Sequence, residues 1–290
     1  MVLPELLASS PALLAGLCFV LGLMVGSFLN VVIYRMPVMM QTAWQQEARA
    51  ILGQQAQEPE PPFNLVVPRS RCPQCGHAIA AYENIPLLSW LVLRGKCSQC
   101  GTGISARYPA VELVTGVASA VLAMHFGYGP WLAATLVATW MLIAMAMIDY
   151  DTSLLPDQLT LPLMWGGLLA ALTGISPVAL DQAVIGAMAG YLSLWSVYWL
   201  FKLATGKEGM GFGDFKLLAA LGAWLGWQML PLVILLSSVV GAIVGGLLIA
   251  LNRSGRAQPM PFGPFLASAG WIALLWGPDI IDAYLGLMRF

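Results

Sequence analysis

Gly211-Phe212-Gly213-Asp214-Phe215-Lys216 stands between long apolar stretches at residues 181–203 and 229–251. An acid in that setting sits at or just inside a membrane face, where an ionised side chain is costly. Gly209, Gly211 and Gly213 strip side chains from the backbone leading to Asp214. Such a backbone can take positive φ and lets another chain come close. A second acid closes an earlier apolar run, Ala144-Met145-Ala146-Met147-Ile148-Asp149. Two carboxylates that can meet at a membrane face are the minimum for aspartic proteolysis, in which paired acids activate water. The competing reading of Asp214 is a plain helix cap, a place Asp suits well.

Composition decides the solvent. Of 290 residues, 59% are hydrophobic and only 9% charged, with a mean hydropathy of +0.79. Soluble domains carry about 25% charged residues, so this is an integral membrane protein. Eleven Trp suit helix ends at the lipid interface. The first apolar segment follows Glu5 with no Lys or Arg before it and runs on past Ile33, so it is expected to be a retained helix and not a signal peptide.

Apolar runs long enough to span occur at 11–34, 110–127, 130–148, 159–176, 181–203, 229–251 and 262–286. Residues 215–228 form a shorter eighth run, which could span only with local thinning or a shared polar face. The expected architecture is an all-α polytopic membrane protein with about eight crossings. Its parts are a first transmembrane helix over 1–34, a loop domain over 35–109 and a transmembrane core over 110–290. If the chain starts outside, the interior loops are 35–109, 149–158, 202–214 and 252–260. They hold Arg35, Arg49, Arg69, Arg71, Arg94, Lys96, Arg107, Lys202, Lys207, Arg253 and Arg256, with Lys216 at the last helix border. That is twelve of thirteen basic residues, and only Arg289 falls elsewhere. The positive-inside rule then puts Asp149, Asp214 and the loop domain on the cytoplasmic side.

Within the loop, residues 38–57 are Gln- and Ala-rich and predict a surface helix, and Glu58-Pro59-Glu60-Pro61-Pro62 is a linker by composition. Then come two copies of one motif, Cys72-Pro73-Gln74-Cys75-Gly76 and Cys97-Ser98-Gln99-Cys100-Gly101, each running on to an isoleucine, Ile79 and Ile104. Two C-x2-C pairs 21 residues apart match a four-cysteine zinc site, and the glycine after each second cysteine permits a tight turn. A disulfide is the weaker alternative in a reducing compartment. Four thiolates leave no open position, so such a zinc would staple the loop. Cys18, mid-helix, reads as packing. His77 and His125 lack a second histidine at ligand spacing and receive no role.

The remaining polar residues divide between structure and chemistry. Asp157, after Pro156, reads as a helix cap or first-turn acid, Asp151 as a solvated turn residue, and Glu112, one turn into a helix after Pro109, as a structural acid. Ser27 and Asn30, one turn apart on the first span, read as polar glue between helices. Arg35 and Pro37 mark the exit from the membrane. Asp149 is different: it ends its helix, where the dipole disfavours negative charge, whereas Asp214 begins one. On dipoles alone Asp214 is expected to start as the base and Asp149 as the acid.

Taken together the chain resembles the bacterial type IV prepilin peptidases, aspartic proteases of the GxGD type. The resemblance rests on residues Gly26 to Pro37, the twin cysteine knuckles, Glu83 to Trp90, Asp149, Gly211 to Lys216 and Pro261-Phe262-Gly263-Pro264-Phe265. It spans nearly the whole chain in order. It implies a bifunctional inner-membrane enzyme that cleaves the short basic leader of type IV prepilins and type II secretion pseudopilins. Such enzymes then N-methylate the new terminus with S-adenosylmethionine. By position Asp149 and Asp214 match the catalytic aspartates, and Cys72, Cys75, Cys97 and Cys100 match the metal tetrad. Gly211 and Gly213 are expected to admit the scissile backbone. Prepilins and membrane lipid are the expected partners, and no nucleic acid is.

The residues by themselves do not supply the methyl transfer, because no glycine-rich strand–turn–helix fingerprint for a nucleotide-like cofactor occurs. Two other functions fit the same acids. One is a peptidase without methyltransferase activity. The other is a proton-coupled transporter using Asp149 and Asp214 as a relay, although the repeated halves common in transporters are not found.

Overall fold

The computed structural model describes residues 3–54, 62–251 and 260–288. Residues 58–61 of the Pro-rich linker, with Arg253, Arg256 and Arg289, lie outside them. Among the described residues there is no β-strand, only two isolated bridges, Arg71 with Ala78 and Lys96 with Gly103. The chain forms two compact units, Met1–Tyr128 and Gly129–Phe290.

The first unit contains α1 (Leu3–Ser9), α2 (Pro11–Ile51), α3 (Leu88–Val92) and α4 (Arg107–Phe126). Helix α2 does not stop at Pro37. It continues to Ile51, because the Gln, Ala, Glu and Arg of residues 41–50 are strong helix formers that carry on an existing helix. Its 41 residues make it about 60 Å long, twice the thickness of a bilayer core. Helices α2 and α4 pack at backbone contact. A Cβ on Gly22 would lie 2.7 Å from the Thr115 carbonyl oxygen, and one on Gly26 would lie 2.7 Å from Glu112 Cα. The Gly22-x3-Gly26 spacing is the small-residue stripe that lets membrane helices approach closely. Asn30 Nδ2 adds the expected polar bond, donating to the Tyr108 carbonyl at 3.1 Å.

The second unit is a bundle of α5 (Pro130–Thr152), α6 (Asp157–Leu172), α7 (Leu180–Thr205), α8 (Phe212–Leu225), α9 (Leu230–Ala250) and α10 (Gly263–Met288). Paired contacts give their directions. Gly186 of α7 meets Gly222 of α8 while Gly190 meets Leu218, so these two helices are antiparallel. Lys216 pairs with Asp157 while Trp224 Nε1 donates to the Leu163 carbonyl, so α6 and α8 are parallel. Gly263 meets Asp149 while Gly270 meets Leu221, so α10 runs with α8 and against α5.

Among the described residues, six helices are long and apolar enough to cross a membrane: α2, α4, α5, α7, α9 with its preceding turn, and α10. At 16 and 14 residues, α6 and α8 measure about 24 and 21 Å. Helix α8 is the core of its unit: Phe215, Leu217, Leu218, Ala220 and Ala223 are wholly enclosed. Neighbouring helices, not lipid, are its solvent, which is why so short an apolar helix is stable there.

Candidate active site and metal centre

Asp149 and Asp214 come together inside the second unit. They are 5% and 7% exposed and close enough to feel each other's charge. Asp149 lies in the last turn of α5, which ends when Ser153 turns into the left-handed region at φ 53° and donates its N–H back to the Asp149 carbonyl. Asp214 is in the first turn of α8. Three aromatic rings seat that turn: Phe212 lies 5.2 Å from Tyr198 and 5.4 Å from Phe215, and Tyr198 lies 5.7 Å from Phe215.

The parallel helices α6, α8 and α10 all begin at this end of the bundle, where α5 finishes. Gly263, the first residue of α10, donates its N–H to Asp149 Oδ2 at 2.9 Å. The α10 N-terminus thus sets a positive dipole end against Asp149, as α8 does against Asp214. The asymmetry expected from local dipoles therefore disappears. Hydrogen bonding is what distinguishes the two acids, because Asp214 Oδ1 is buried and accepts no bond from the described protein groups. The role of Gly263 was not legible in the sequence. Its motif, Pro261 to Phe265, stands out there, but nothing local says that it meets Asp149.

The glycines before Asp214 divide. A Cβ on Gly213 would lie 2.7 Å from Leu155 Cβ, so packing already accounts for its size, whereas one on Gly211 would meet nothing within 4 Å. Asp157 occupies the first turn of α6 as expected and also binds Lys216 Nζ at 2.6 and 2.8 Å.

In the first unit the four cysteines converge. Their sulfurs all lie within 4.8 Å of one another, with Cys72–Cys100 at 3.7 Å and Cys75–Cys97 at 3.9 Å, and none is disulfide-bonded. Zinc–sulfur bonds of about 2.3 Å at tetrahedral angles require sulfurs about 3.8 Å apart, so the cluster could hold a metal ion. The knuckles are built alike. Gly76 and Gly101 turn at φ 72° and 71°, and their N–H groups donate to the carbonyls of Cys72 and Cys97. The Thr102 hydroxyl and backbone hold the Cys100 thiol low, at about 6, whereas burial and the neighbouring thiols push Cys75 up to about 12.

Polar residues given structural or no roles turn out to brace this loop. His77 Nε2 lies 3.2 Å from Glu83 Oε2, and the Ser98 hydroxyl, the Ala80 N–H and His77 hold the Glu83 carboxyl below its usual range. Glu112 accepts the Leu87 N–H at 2.9 Å. Arg35 is buried. Its guanidinium donates to the carbonyls of Asn64 and Pro68 at 2.7 and 2.6 Å and lies 5.5 Å from the Phe63 ring centre.

Residues 136–246 match the type IV leader peptidase family, and residues 20–126 match the bacterial peptidase A24 N-terminal domain. The chain belongs to the type IV leader peptidase family. It is 59% identical over 285 residues to an Aeromonas hydrophila protein, covering 98% of both chains, and 55% identical over 290 residues to one from Pseudomonas aeruginosa, covering both completely. A Dichelobacter nodosus relative is 55% identical over 272 residues, 91% of this chain and 93% of its own. All three are named prepilin leader peptidase/N-methyltransferase. No solved structure matches the chain. Both segments of this leader peptidase contain a candidate centre: the four cysteines lie in the first match and both aspartates in the second.

Proposed function

We propose that this chain is an intramembrane aspartic endopeptidase that removes the short basic leader of type IV prepilins and type II pseudopilins, then N-methylates the exposed amine. The observation that carries the reading is the buried meeting of Asp149 and Asp214 where three helices begin. Two carboxylates there hold a water and share one proton, since adjacent anions in a poorly solvated site repel. One carboxylate takes a proton from the water as its oxygen attacks the scissile carbonyl. The other donates a hydrogen bond to that carbonyl oxygen as charge builds on it. When the C–N bond breaks, the departing amine takes a proton from the dyad. Gly263 holds Asp149 in position, and the open backbone at Gly211 gives the extended substrate a place to lie.

The alternating directions of α5, α6, α7 and α8, with α10 running as α8 does, support treating α6 and α8 as crossings despite their length, eight in all. Twelve of thirteen basic residues then favour a cytoplasmic site and cysteine loop in the cell inner membrane. Zinc is the metal that four thiolates at these distances suit, in a closed structural site held by Cys72, Cys75, Cys97 and Cys100. S-adenosylmethionine would supply the methyl group. Among the described residues, the buried side-chain polar atoms lacking a hydrogen bond all lie in the second unit, so none in the first unit points to a pocket for it.

The test is purified protein in detergent with a synthetic prepilin. Leader release without any ion gradient, lost in Asp149→Asn and in Asp214→Asn, is expected. Undiminished release by either variant rules out the dyad, and no release at all returns the acids to the transporter reading. Intact mass of the product reads the second step as one added methyl; its absence leaves a peptidase only.

A further inference from the structure

The segment between the two knuckles carries large apolar side chains that the first unit does not take up. Leu88, Leu91 and Val92 of α3 are 61%, 62% and 79% exposed, and they stand at i, i+3 and i+4, the spacing that shares one helix face. The other side of α3 is engaged. Trp90 Nε1 donates to the Ile104 carbonyl at 3.1 Å, and its ring lies so near Gly95 that a Cβ there would come within 2.9 Å. Five residues make no stable helix alone, so α3 depends on what holds it.

What holds it is a membrane helix. The Leu87 N–H donates to Glu112 in the second turn of α4, and Glu112 Cα touches Gly26 inside the apolar stretch of α2. Both are helices of spanning length. The exposed face of α3 is therefore tied to the turn of α4 that Glu112 occupies, and the next α4 residue, Leu113, is itself an exposed apolar side chain. Arg94 and Lys96 follow directly and are exposed, and cations beside an apolar face are what anionic headgroups attract.

We propose that α3 is an interfacial anchor, with Leu88, Leu91 and Val92 seated at the headgroup–acyl boundary of the protein's own membrane. An amphipathic face of this kind binds through its apolar area, aided by nearby basic residues. Its consequence is that the cysteine loop is fastened to the bilayer between its two knuckles.

The experiment places a nitroxide-bearing unnatural residue at Leu91, at Val92 or at the exposed knuckle residue Gln99, in full-length protein reconstituted into phosphatidylethanolamine–phosphatidylglycerol vesicles. Collisional broadening by oxygen and by a water-soluble nickel chelate reports depth. Labels at 91 and 92 should be shielded from nickel and open to oxygen, shifting the depth parameter to positive values, while Gln99 stays aqueous. Nickel access at 91 and 92 equal to that at 99 overturns the anchor. Shielding that appears only when prepilin is added also overturns it and gives the face to the substrate.

Discussion

Gly263 and Asp149 are bound backbone to side chain, an N–H to Oδ2 distance of 2.9 Å across 114 residues of chain. Only glycine fits, because a Cβ at 263 would stand 2.7 Å from that same oxygen. Pro264 follows as the second residue of α10, a place where proline's missing N–H costs nothing. Gly263→Ala should push the Asp149 carboxyl aside. A displacement near 1 Å at a reacting group can cost about 10²-fold, and that is the expected loss in leader cleavage. Methylation of a pilin supplied already cleaved should be kept. Equal loss of both activities would point to misfolding, and normal cleavage would show that this bond does not position Asp149.

Gly211 and Gly213 separate packing from access. Gly213→Ala forces a contact on Leu155, and overpacking of this kind costs about 1–3 kcal/mol, so thermal unfolding in detergent should come earlier. A Cβ at 211 has no neighbour within 4 Å, so Gly211→Val should leave the unfolding temperature in place. If the scissile backbone lies against Gly211, the valine variant still loses cleavage. A Gly211→Val enzyme that cleaves normally removes access as the reason for that glycine.

The Lys216–Asp157 pair links the first turns of α8 and α6. Side-chain exposure of 32% and 51% makes it worth at most about 1 kcal/mol, so Lys216→Met should scarcely change the unfolding temperature. Its expected effect is on Asp214, two residues away, as a several-fold fall in the cleavage rate with unchanged expression. Cleavage at the wild-type rate would mark the pair as surface decoration.

What the sequence made legible has a physical pattern. Asp149 and the cysteine tetrad stand out because each is a polar or reactive group in a setting where bland explanations are expensive, whereas Asp214, which also suits a plain helix cap, stands out only beside its glycines and Asp149. Asp157 at a helix start and Asn30 between helices follow from local spacing in the same way. A helix after Pro37 was expected over 38–57, but its unbroken continuation from the first span, ending at Ile51, was hidden, because a proline near an arginine resembles a membrane exit. The Gly263–Asp149 bond and the Glu112–Leu87 bond join residues far apart in the chain, and no periodicity records them. Gly22 and Gly26 carried a readable signal, the four-residue spacing of small residues, which shows its meaning only once α4 lies across it. The depth of α8 was equally invisible: a 14-residue apolar run looks too short for a membrane until five helices are seen around it.

The cysteines should be separable from the aspartates. They belong to a different compact unit, and four thiolates complete a tetrahedron with no position left for substrate or water. Metal analysis of purified protein should find about one zinc per chain. Because Gly76 and Gly101 already hold the two turns, removing one ligand leaves the knuckles sketched but unfastened. Cys97→Ser should lose the zinc and loosen residues 69–108 to proteolysis. Methyl transfer should fall more than cleavage, since Asp149, Asp214 and Gly263 keep their own surroundings in the second unit. Strong chelation of wild-type protein should give the same split, and restored zinc should reverse it in the wild type but not in the variant. An equal loss of both activities would tie the metal to the peptidase, and a metal-free enzyme that methylates normally would end the zinc assignment.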